Sequence, residues 1–118
     1  MKRDLDLVRL ILLEIEKNSE PEGRSIRVKV PEHSDAEISY HIGLLAEAGL
    51  VEAQNFRGDD RIEWWPMKMT WAGHEFLDAA RNDTIWEKMK EMTKKAGGFA
   101  FATVFDLLIA LGKQSLGL

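Results

Sequence analysis

The stretch from residue 34 to residue 69 constrains the fold most, because a capped helix runs directly into a hairpin there. Ser34 and Glu37 have the spacing of a capping box, in which each side chain accepts a hydrogen bond from the backbone N–H of the other residue. Apolar residues then recur at helical spacing through "ISYHIGLLAEAG", and Gly49 is placed to end the helix in a left-handed conformation. Two runs typical of strands, "LVEAQNF" and "RIEWWPMKM", follow on either side of the turn "RGDD". The pattern therefore predicts a helix that leads into a two-stranded hairpin.

A further strand is predicted ahead of this helix, in "RSIRVKV" at residues 24–30. Apolar and basic residues alternate strictly along the second half of this run, and Pro31 follows it. Such alternation is typical of a strand with one buried face and one exposed face, and proline ends it because it has no N–H to donate.

Aromatic residues are concentrated in and around the predicted hairpin. They could form a stacking surface for nucleic-acid bases, although core and hairpin packing is the commoner use of such residues. Trp64 and Trp65 are adjacent, and neighbours on a strand face opposite sides of it. We therefore expect one of the two indoles to be exposed or covered by a partner.

Helices are predicted at both ends of the chain. The first, from Asp4 to Lys17, is apolar around most of its circumference, which predicts burial on most sides. Towards the C-terminus, Thr70 is predicted to cap one helix, and a second capping box of Thr84 and Glu87 is predicted to begin the next. A last helix runs through "FATVFDLLIAL". The expected order is helix, strand, helix, two strands and three helices.

The composition excludes several classes of function. The chain of 118 residues suits one domain, and its formal net charge of −4 argues against tight, indiscriminate binding to nucleic acid. It contains no cysteine, so disulfides, cysteine nucleophiles and thiolate zinc sites are excluded. The sequence also has no recognisable nucleophile motif and no glycine-rich phosphate loop. We therefore expect a protein without catalytic residues and without a cofactor.

One helix could be mistaken for a metal site. In "HEFLD", His74 and Asp78 stand one helical turn apart, as the two histidines of a zinc-hydrolase helix do. A catalytic site needs a third ligand, and only His33 and His41 remain as imidazoles. The simpler interpretation is a helix with polar residues in solvent, so we predict no metal site.

A cytoplasmic protein without membrane contact is expected from the two ends of the sequence. The N-terminal "MKRDLDLVRLILLEIEK" places acids within its apolar run and lacks a small-residue cleavage site, unlike a signal peptide. The apolar stretch near the C-terminus is shorter than the ~20 residues of a spanning helix, and Asp106 interrupts it.

Two phrases carry a resemblance to known folds. "ISYHIGLLAEAGLVEA" resembles the third helix and first wing strand of bacterial winged-helix regulators, and "MKMTWAGHEFL" resembles the step from wing to helix in the same proteins. More specifically, "MKRDLDLVRLILLEIE" with "GHEFLDAARNDTIWEK" resembles a domain-of-unknown-function family of bacteria, phages and prophages. The resemblance implies an α+β, winged-helix-like domain (helix, strand, helix, β-hairpin wing) with additional C-terminal helices.

The charges depart from a DNA-binding winged helix. The candidate recognition helix holds three acids and no lysine or arginine, so it would repel phosphate. We therefore expect a protein-interaction or regulatory module with a protein partner, and keep a DNA-binding transcriptional regulator as the alternative. For that alternative, the candidate nucleic-acid contacts are the basic residues of the strand and wing: Arg24, Arg27, Lys29, Arg57 and Arg61.

Apolar residues of the two terminal helices predict a homo-oligomer, with a dimer expected first. Residues 1–82 are predicted to form the winged-helix-like core, and residues 83–118 the C-terminal helices that contribute to oligomerisation within one compact domain. If exposed, these side chains would form a larger apolar patch than soluble monomers usually show. The candidate interface residues are Leu7, Ile11, Phe101, Val104, Phe105, Leu108 and Leu111.

Overall fold

The computed structural model describes residues 1–57, 62–97 and 100–117. The fold is α+β, as predicted. Its helices in these residues are α1 (Leu5–Asn18), α2 (Asp35–Glu47), α3 (Trp71–Ala80), α4 (Asp83–Lys95) and α5 (Phe101–Ser115), and its strands are β1 (Val51–Arg57) and β2 (Ile62–Met69). The chain forms two compact units, Met1–His74 and Glu75–Leu118. The boundary thus falls within α3, earlier than the predicted boundary at residue 82.

Helix α1 begins as the sequence predicts. The side chain of Asp4 caps it by accepting a hydrogen bond from the Leu7 N–H at 3.1 Å. Five apolar side chains on one wide stripe are buried: Leu7, Val8, Ile11, Leu12 and Ile15.

Helix α2 has the predicted capping box and the predicted glycine end. Glu37 N–H donates to Ser34 Oγ at 3.1 Å, while Ser34 N–H donates to Glu37 Oε1 at 3.3 Å. At the other end, Gly49 has φ +78°, and the Leu50 N–H bonds back to the Leu45 carbonyl at 2.9 Å. This backward hydrogen bond across a left-handed glycine is a Schellman motif, which leads the chain out of the helix and directly into β1.

His41 joins α2 to the start of α1. Its ring is buried, with Nε2 2.9 Å from the Asp4 backbone nitrogen and Nδ1 2.8 Å from the Glu37 carbonyl oxygen. Because the Asp4 N–H is a donor, Nε2 must accept, and the ring proton therefore lies on Nδ1 and is donated to Glu37. The side chain satisfies two backbone groups at once, and so it fixes α1 against α2.

The hairpin is confirmed, with β1 and β2 antiparallel. The register shifts by one residue between Glu52 and Ala53, which pair with Lys68 and Pro66. The shift leaves Met67 as the extra residue of a bulge beside the proline, a position at which a strand tolerates the missing N–H. The turn residues 58–61 lie outside the described residues.

The prediction of a strand at residues 24–30 is wrong, since the sheet of the described residues has only β1 and β2. The alternation of burial is as predicted, with Ile26, Val28 and Val30 buried. The segment reaches β2 through a hydrogen bond from Ile26 N–H to the Pro66 carbonyl at 2.8 Å. Proline has no N–H to donate in return, so at this point the pairing cannot develop into a ladder.

The predicted cap of α3 is confirmed. Thr70 Oγ1 accepts the Gly73 N–H at 3.1 Å and donates to the Gly49 carbonyl at 2.6 Å, while the Thr70 N–H donates to the Leu50 carbonyl at 3.0 Å. A Cβ at Gly73 would overlap that same Leu50 carbonyl oxygen. The first turn of α3 therefore lies directly against the end of α2.

The second unit has an aromatic core centred on Phe76. Its ring contacts Trp86 edge-on at 6.5 Å, Phe101 at 4.8 Å and Phe105 at 5.8 Å between centroids. The cap of α4 differs from the predicted Thr84 box, because the Asn82 side chain accepts the Ile85 N–H at 3.0 Å instead. Asparagine is among the strongest N-cap residues, and its position two residues earlier adds two residues to the start of the helix.

We predict opposite effects for two helical Gly→Ala substitutions. Gly73→Ala should reduce the free energy of unfolding by about 3 kcal/mol, because the new Cβ collides with the rigid Leu50 carbonyl. Gly112→Ala in α5 is the matched control, because in the described part of the chain nothing beyond the adjacent helix backbone lies within 4 Å of its Cβ position. There alanine should stabilise the protein by about 0.5–1 kcal/mol through helix propensity. Urea denaturation measures both changes, and equal effects at the two sites would contradict the close contact at Gly73.

Candidate functional site

A groove in the first unit lies between α2, β2 and the extended segment 24–30. It has two adjoining parts, an inner cleft of about 170 Å³ and an outer cleft of about 440 Å³, and both are lined by Asp35, Ser39, Glu63 and Trp64. The inner cleft continues along the segment and β2, and its other lining residues are Ile26, Arg27, Val28, Lys29, Ile38, Ile42, Trp65 and Pro66. The outer cleft adds Met1, Ala36 and Tyr40. We call the two clefts together the α2 groove.

Trp64 is held in the groove wall by two residues of α2. Its backbone N–H donates to Ser39 Oγ at 2.9 Å, which joins the outer edge of β2 to the helix. A Cβ at Gly43 would lie 2.6 Å from the indole Nε1 and 2.8 Å from Cδ1, so the ring occupies the space that any larger residue would fill. Ser39 and Gly43 are one helical turn apart, so one face of α2 fixes both the backbone and the ring of Trp64.

Trp65 lies on the other side of β2, as the alternation of a strand requires. Its ring meets Phe56 edge-on at 6.3 Å, and its indole N–H donates to Glu63 Oε2 at 3.3 Å. Both tryptophans are half-buried within the chain, and the expectation that a partner covers one of them stays a prediction.

The charged side chains of the α2 groove come from α2, β2 and the extended segment. Lys29 Nζ contacts Asp35 Oδ1 at 2.7 Å, and both side chains are largely exposed. The hydrogen bond and charge of Lys29, with the more distant charge of Arg27, lower the pKa of Asp35 below its usual value. Asp35 is therefore ionised at neutral pH. Arg27 and Lys29 line only the inner cleft, whereas Asp35 and Glu63 line both clefts.

The structure brings together only some of the candidate nucleic-acid contacts. Arg24, Arg27 and Lys29 are exposed on the extended segment, and the last two line the inner cleft. Arg61 and the side chain of Arg57 lie outside the described residues.

The candidate oligomer residues are largely inside a single chain. Leu7, Ile11 and Leu108 have no exposed area, and Val104 is 1% exposed, so these four cannot add area to a contact between copies. The remaining three candidates, Phe101, Phe105 and Leu111, are partly exposed. This corrects the choice of residues, since the sequence alone could not tell burial within the chain from burial by a second copy.

His74 and Asp78 do not converge on a metal site in the described residues. Asp78 accepts a hydrogen bond from Arg81 at 2.8 Å on the surface of α3. Across residues 1–57, 62–97 and 100–117, no group of three histidine, aspartate or glutamate side chains is arranged to hold a metal ion. In the same residues, no helix has the length and apolar character needed to cross a bilayer.

The role of α2 in forming this groove was only partly visible in the sequence. Ser39 and Tyr40 carry no motif, and Glu63 lies in the hairpin without any spacing that links it to α2. One signal was present, namely a glycine in the interior of a helix at Gly43, which usually has a packing reason.

We predict that the contact between Gly43 and Trp64 reverses the usual effect of a helical glycine. Gly43→Ala alone should lower stability by about 1 kcal/mol, because crowding of the indole outweighs the gain in helix propensity. In a Trp64→Ala background the same change should stabilise the protein by about 1 kcal/mol. Urea denaturation of the four proteins of this cycle measures the coupling, and additive effects would contradict the contact.

Comparison with known proteins identifies the family. No solved structure matches the chain. A Haemophilus influenzae protein with the name "Uncharacterized protein" is 39% identical over 94 residues, which are 80% of this chain and 80% of that protein. The model of the family described as "Hypothetical protein (DUF2513)" matches residues 2–99, which include both units up to the end of α4. The chain therefore belongs to the DUF2513 family.

Proposed function

We propose that this protein is a non-catalytic interaction module that binds a protein partner in the α2 groove. The observation that carries the proposal is the combination of aromatic and acidic side chains in the outer cleft. Tyr40 is 42% exposed there, next to the half-buried Trp64 and the carboxylates of Asp35 and Glu63. Aromatic residues are enriched in protein interfaces, where they contribute large contact areas at low entropic cost.

The proposed frame is winged-helix-like. The extended segment 24–30 lies beside β2 through the Ile26–Pro66 hydrogen bond, and β1 lies on the other side of β2. This places the segment, β2 and β1 side by side, with α2 as the candidate recognition helix. A turn at Pro31 and Glu32 stands where a helix-turn-helix protein has its second helix. The resemblance implies a phage or prophage setting, and the family membership assigns no role.

The electrostatics of α2 favour a protein over DNA. The helix carries Asp35, Glu37 and Glu47 and no basic residue, and the pKa of Glu37 is lowered mainly by its hydrogen bond from the Ser34 backbone. The lowered pKa values of Asp35 and Glu37 keep these two carboxylates ionised at neutral pH, where they would repel phosphate. In the alternative, a DNA-binding regulator, contacts would depend on Arg24, Arg27 and Lys29 of the extended segment, and binding would be weak and strongly dependent on salt.

No reaction forms part of the proposal. Ser39 offers a hydroxyl in the groove, but its oxygen accepts the Trp64 N–H and ties β2 to α2. Among the described residues that line either cleft there is no histidine to act as its base. The polar groups of the groove therefore favour a binding role over a catalytic one.

Site-specific photo-cross-linking in the native host tests this function. We expect benzoylphenylalanine at position 40 to yield a discrete protein adduct that survives nuclease treatment, because Tyr40 lines the groove. The same probe at position 71 is the control, since Trp71 is 81% exposed but does not line either cleft. A nuclease-sensitive adduct at position 40, no adduct, or the same adducts from both positions would overturn the proposal.

We also propose that the protein is a homo-oligomer. The contact would use side chains that a single chain leaves exposed instead of the buried candidates named from the sequence. Leu10 of α1 and Ile109 of α5 are each 41% exposed. Light scattering of the purified chain should give a multiple of its 13.5 kDa mass, and Leu10→Glu or Ile109→Glu should lower it. A monomeric mass for the unmodified chain at micromolar concentration would refute this.

A further inference from the structure

We propose that two copies of this chain pair through the exposed side of α5, with the two helices antiparallel. The pairing rests on the homo-oligomer proposed above and would be its contact. Five residues of α5 and its C-terminal cap follow one another at alternating spacings of four and three residues along this side: Ala102, Asp106, Ile109, Lys113 and Leu116. We call these five residues the α5 seam.

The spacing of the α5 seam is the one by which helices pair. Residues that alternate four and three apart stay on one side of a helix, and the same repeat brings the side chains of two helices together in coiled coils. All five seam residues are exposed, with Ile109 at 41% and Leu116 at 77%. The buried residues of α5, Val104 and Leu108, lie on another side of the helix. The helix therefore has one side covered within its own chain and a second, partly apolar side that the chain leaves exposed.

The two charges of the α5 seam cannot pair within one helix. Asp106 and Lys113 are seven residues apart, about 10 Å along the axis, whereas side chains on one helix meet at spacings of three or four residues. In the described part of the chain, neither side chain makes an ion pair. The helix dipole favours Lys113 in the last turn, but Asp106 lies mid-helix, where aspartate is a poor helix former. The Asp106 carboxylate is therefore free to pair with a cation from outside the chain.

A second copy of the chain supplies that cation in the right place. A contact with twofold symmetry needs a patch that is complementary to itself. The midpoint between Asp106 and Lys113 falls between Ile109 and Ala110, so a twofold axis there brings Asp106 of each copy to Lys113 of the other. The same ion pair then forms twice, with Ile109 of both copies packed between the two pairs.

The orientation of the two helices follows from the same charges. In a parallel pair, each residue of the α5 seam would face its own counterpart, so Asp106 would meet Asp106 and Lys113 would meet Lys113. Like charges in contact disfavour that arrangement, whereas the antiparallel pair has opposite charges at both positions. The antiparallel pair also places the small side chain of Ala102 near Leu116 of the other copy, where it leaves room for the larger residue.

Reversal of each charge tests the pairing. Sedimentation equilibrium of the full chain measures the dissociation constant of the dimer. Asp106→Lys and Lys113→Asp should each raise this constant at least about tenfold, because two attractions are lost and two repulsions are gained. Glu47→Lys makes the same change of charge at the exposed end of α2 and is the matched control. It should leave the constant within about twofold of the original, because an exposed charge outside the contact is screened by salt.

A mixture of the two variants tests the antiparallel orientation. In a heterodimer of the Asp106→Lys and Lys113→Asp chains, opposite charges meet again at both positions. An equimolar mixture should therefore associate within about threefold of the unmodified chain, and so should the double variant with itself. This recovery also shows that the single variants are folded. A mixture that stays as weak as its components, or single variants that associate like the unmodified chain, would overturn antiparallel pairing through α5.

The result is separable from that of the proposed homo-oligomer. An oligomer that both single variants leave intact would retain the homo-oligomer and remove the α5 seam as its contact. A monomeric mass for the unmodified chain at micromolar concentration would remove both.

Discussion

The contact between Gly43 of α2 and the indole of Trp64 is the constraint on which the first unit depends. A glycine inside a helix costs about 1 kcal/mol relative to alanine, and here that cost allows the ring to pack directly on the helix backbone. The Ser39 hydroxyl, one turn earlier, accepts the backbone N–H of the same tryptophan. Two contacts of Trp64, its ring on Gly43 and its backbone N–H on Ser39, therefore hold the hairpin against α2. These contacts shape the adjacent α2 groove.

Other contacts between elements of this unit add backbone hydrogen bonds to the buried apolar surface. His41 links the N-terminal end of α1 to α2. The Leu50 carbonyl accepts the Thr70 N–H, and because Gly73 has no side chain, the first turn of α3 packs against the same carbonyl. A two-stranded sheet is marginal by itself and needs a packed helix to persist. The hydrogen bonds between elements help to hold the sheet against the helices, because each hydrogen bond fixes the angle as well as the distance between two elements.

Local signals in the sequence predicted the elements well, and partnerships between elements poorly. The capping box at Ser34 and Glu37, the glycine end at Gly49 and the hairpin all depend on neighbours in the chain, so their spacing is visible in the sequence. The segment 24–30 failed as a strand because its alternation records only burial, whereas a strand also needs a partner that can donate, and Pro66 cannot. Leu7 and Leu108 failed as interface residues for a related reason, since hydrophobicity does not say which surface covers a side chain.

The acids of the α2 groove do not all carry the same weight as indicators of function. Glu37 closes the capping box, and both Asp35 and Glu37 stand in the first turn of a helix, where a negative charge is favourable in any protein. Folding alone therefore accounts for much of the acidity of α2, and it would be present without any partner. Tyr40 has no such explanation, because it lies beyond the first turn of α2 and its ring is 42% exposed. A probe at position 40 rather than at position 35 thus separates a binding role from a helix-capping one.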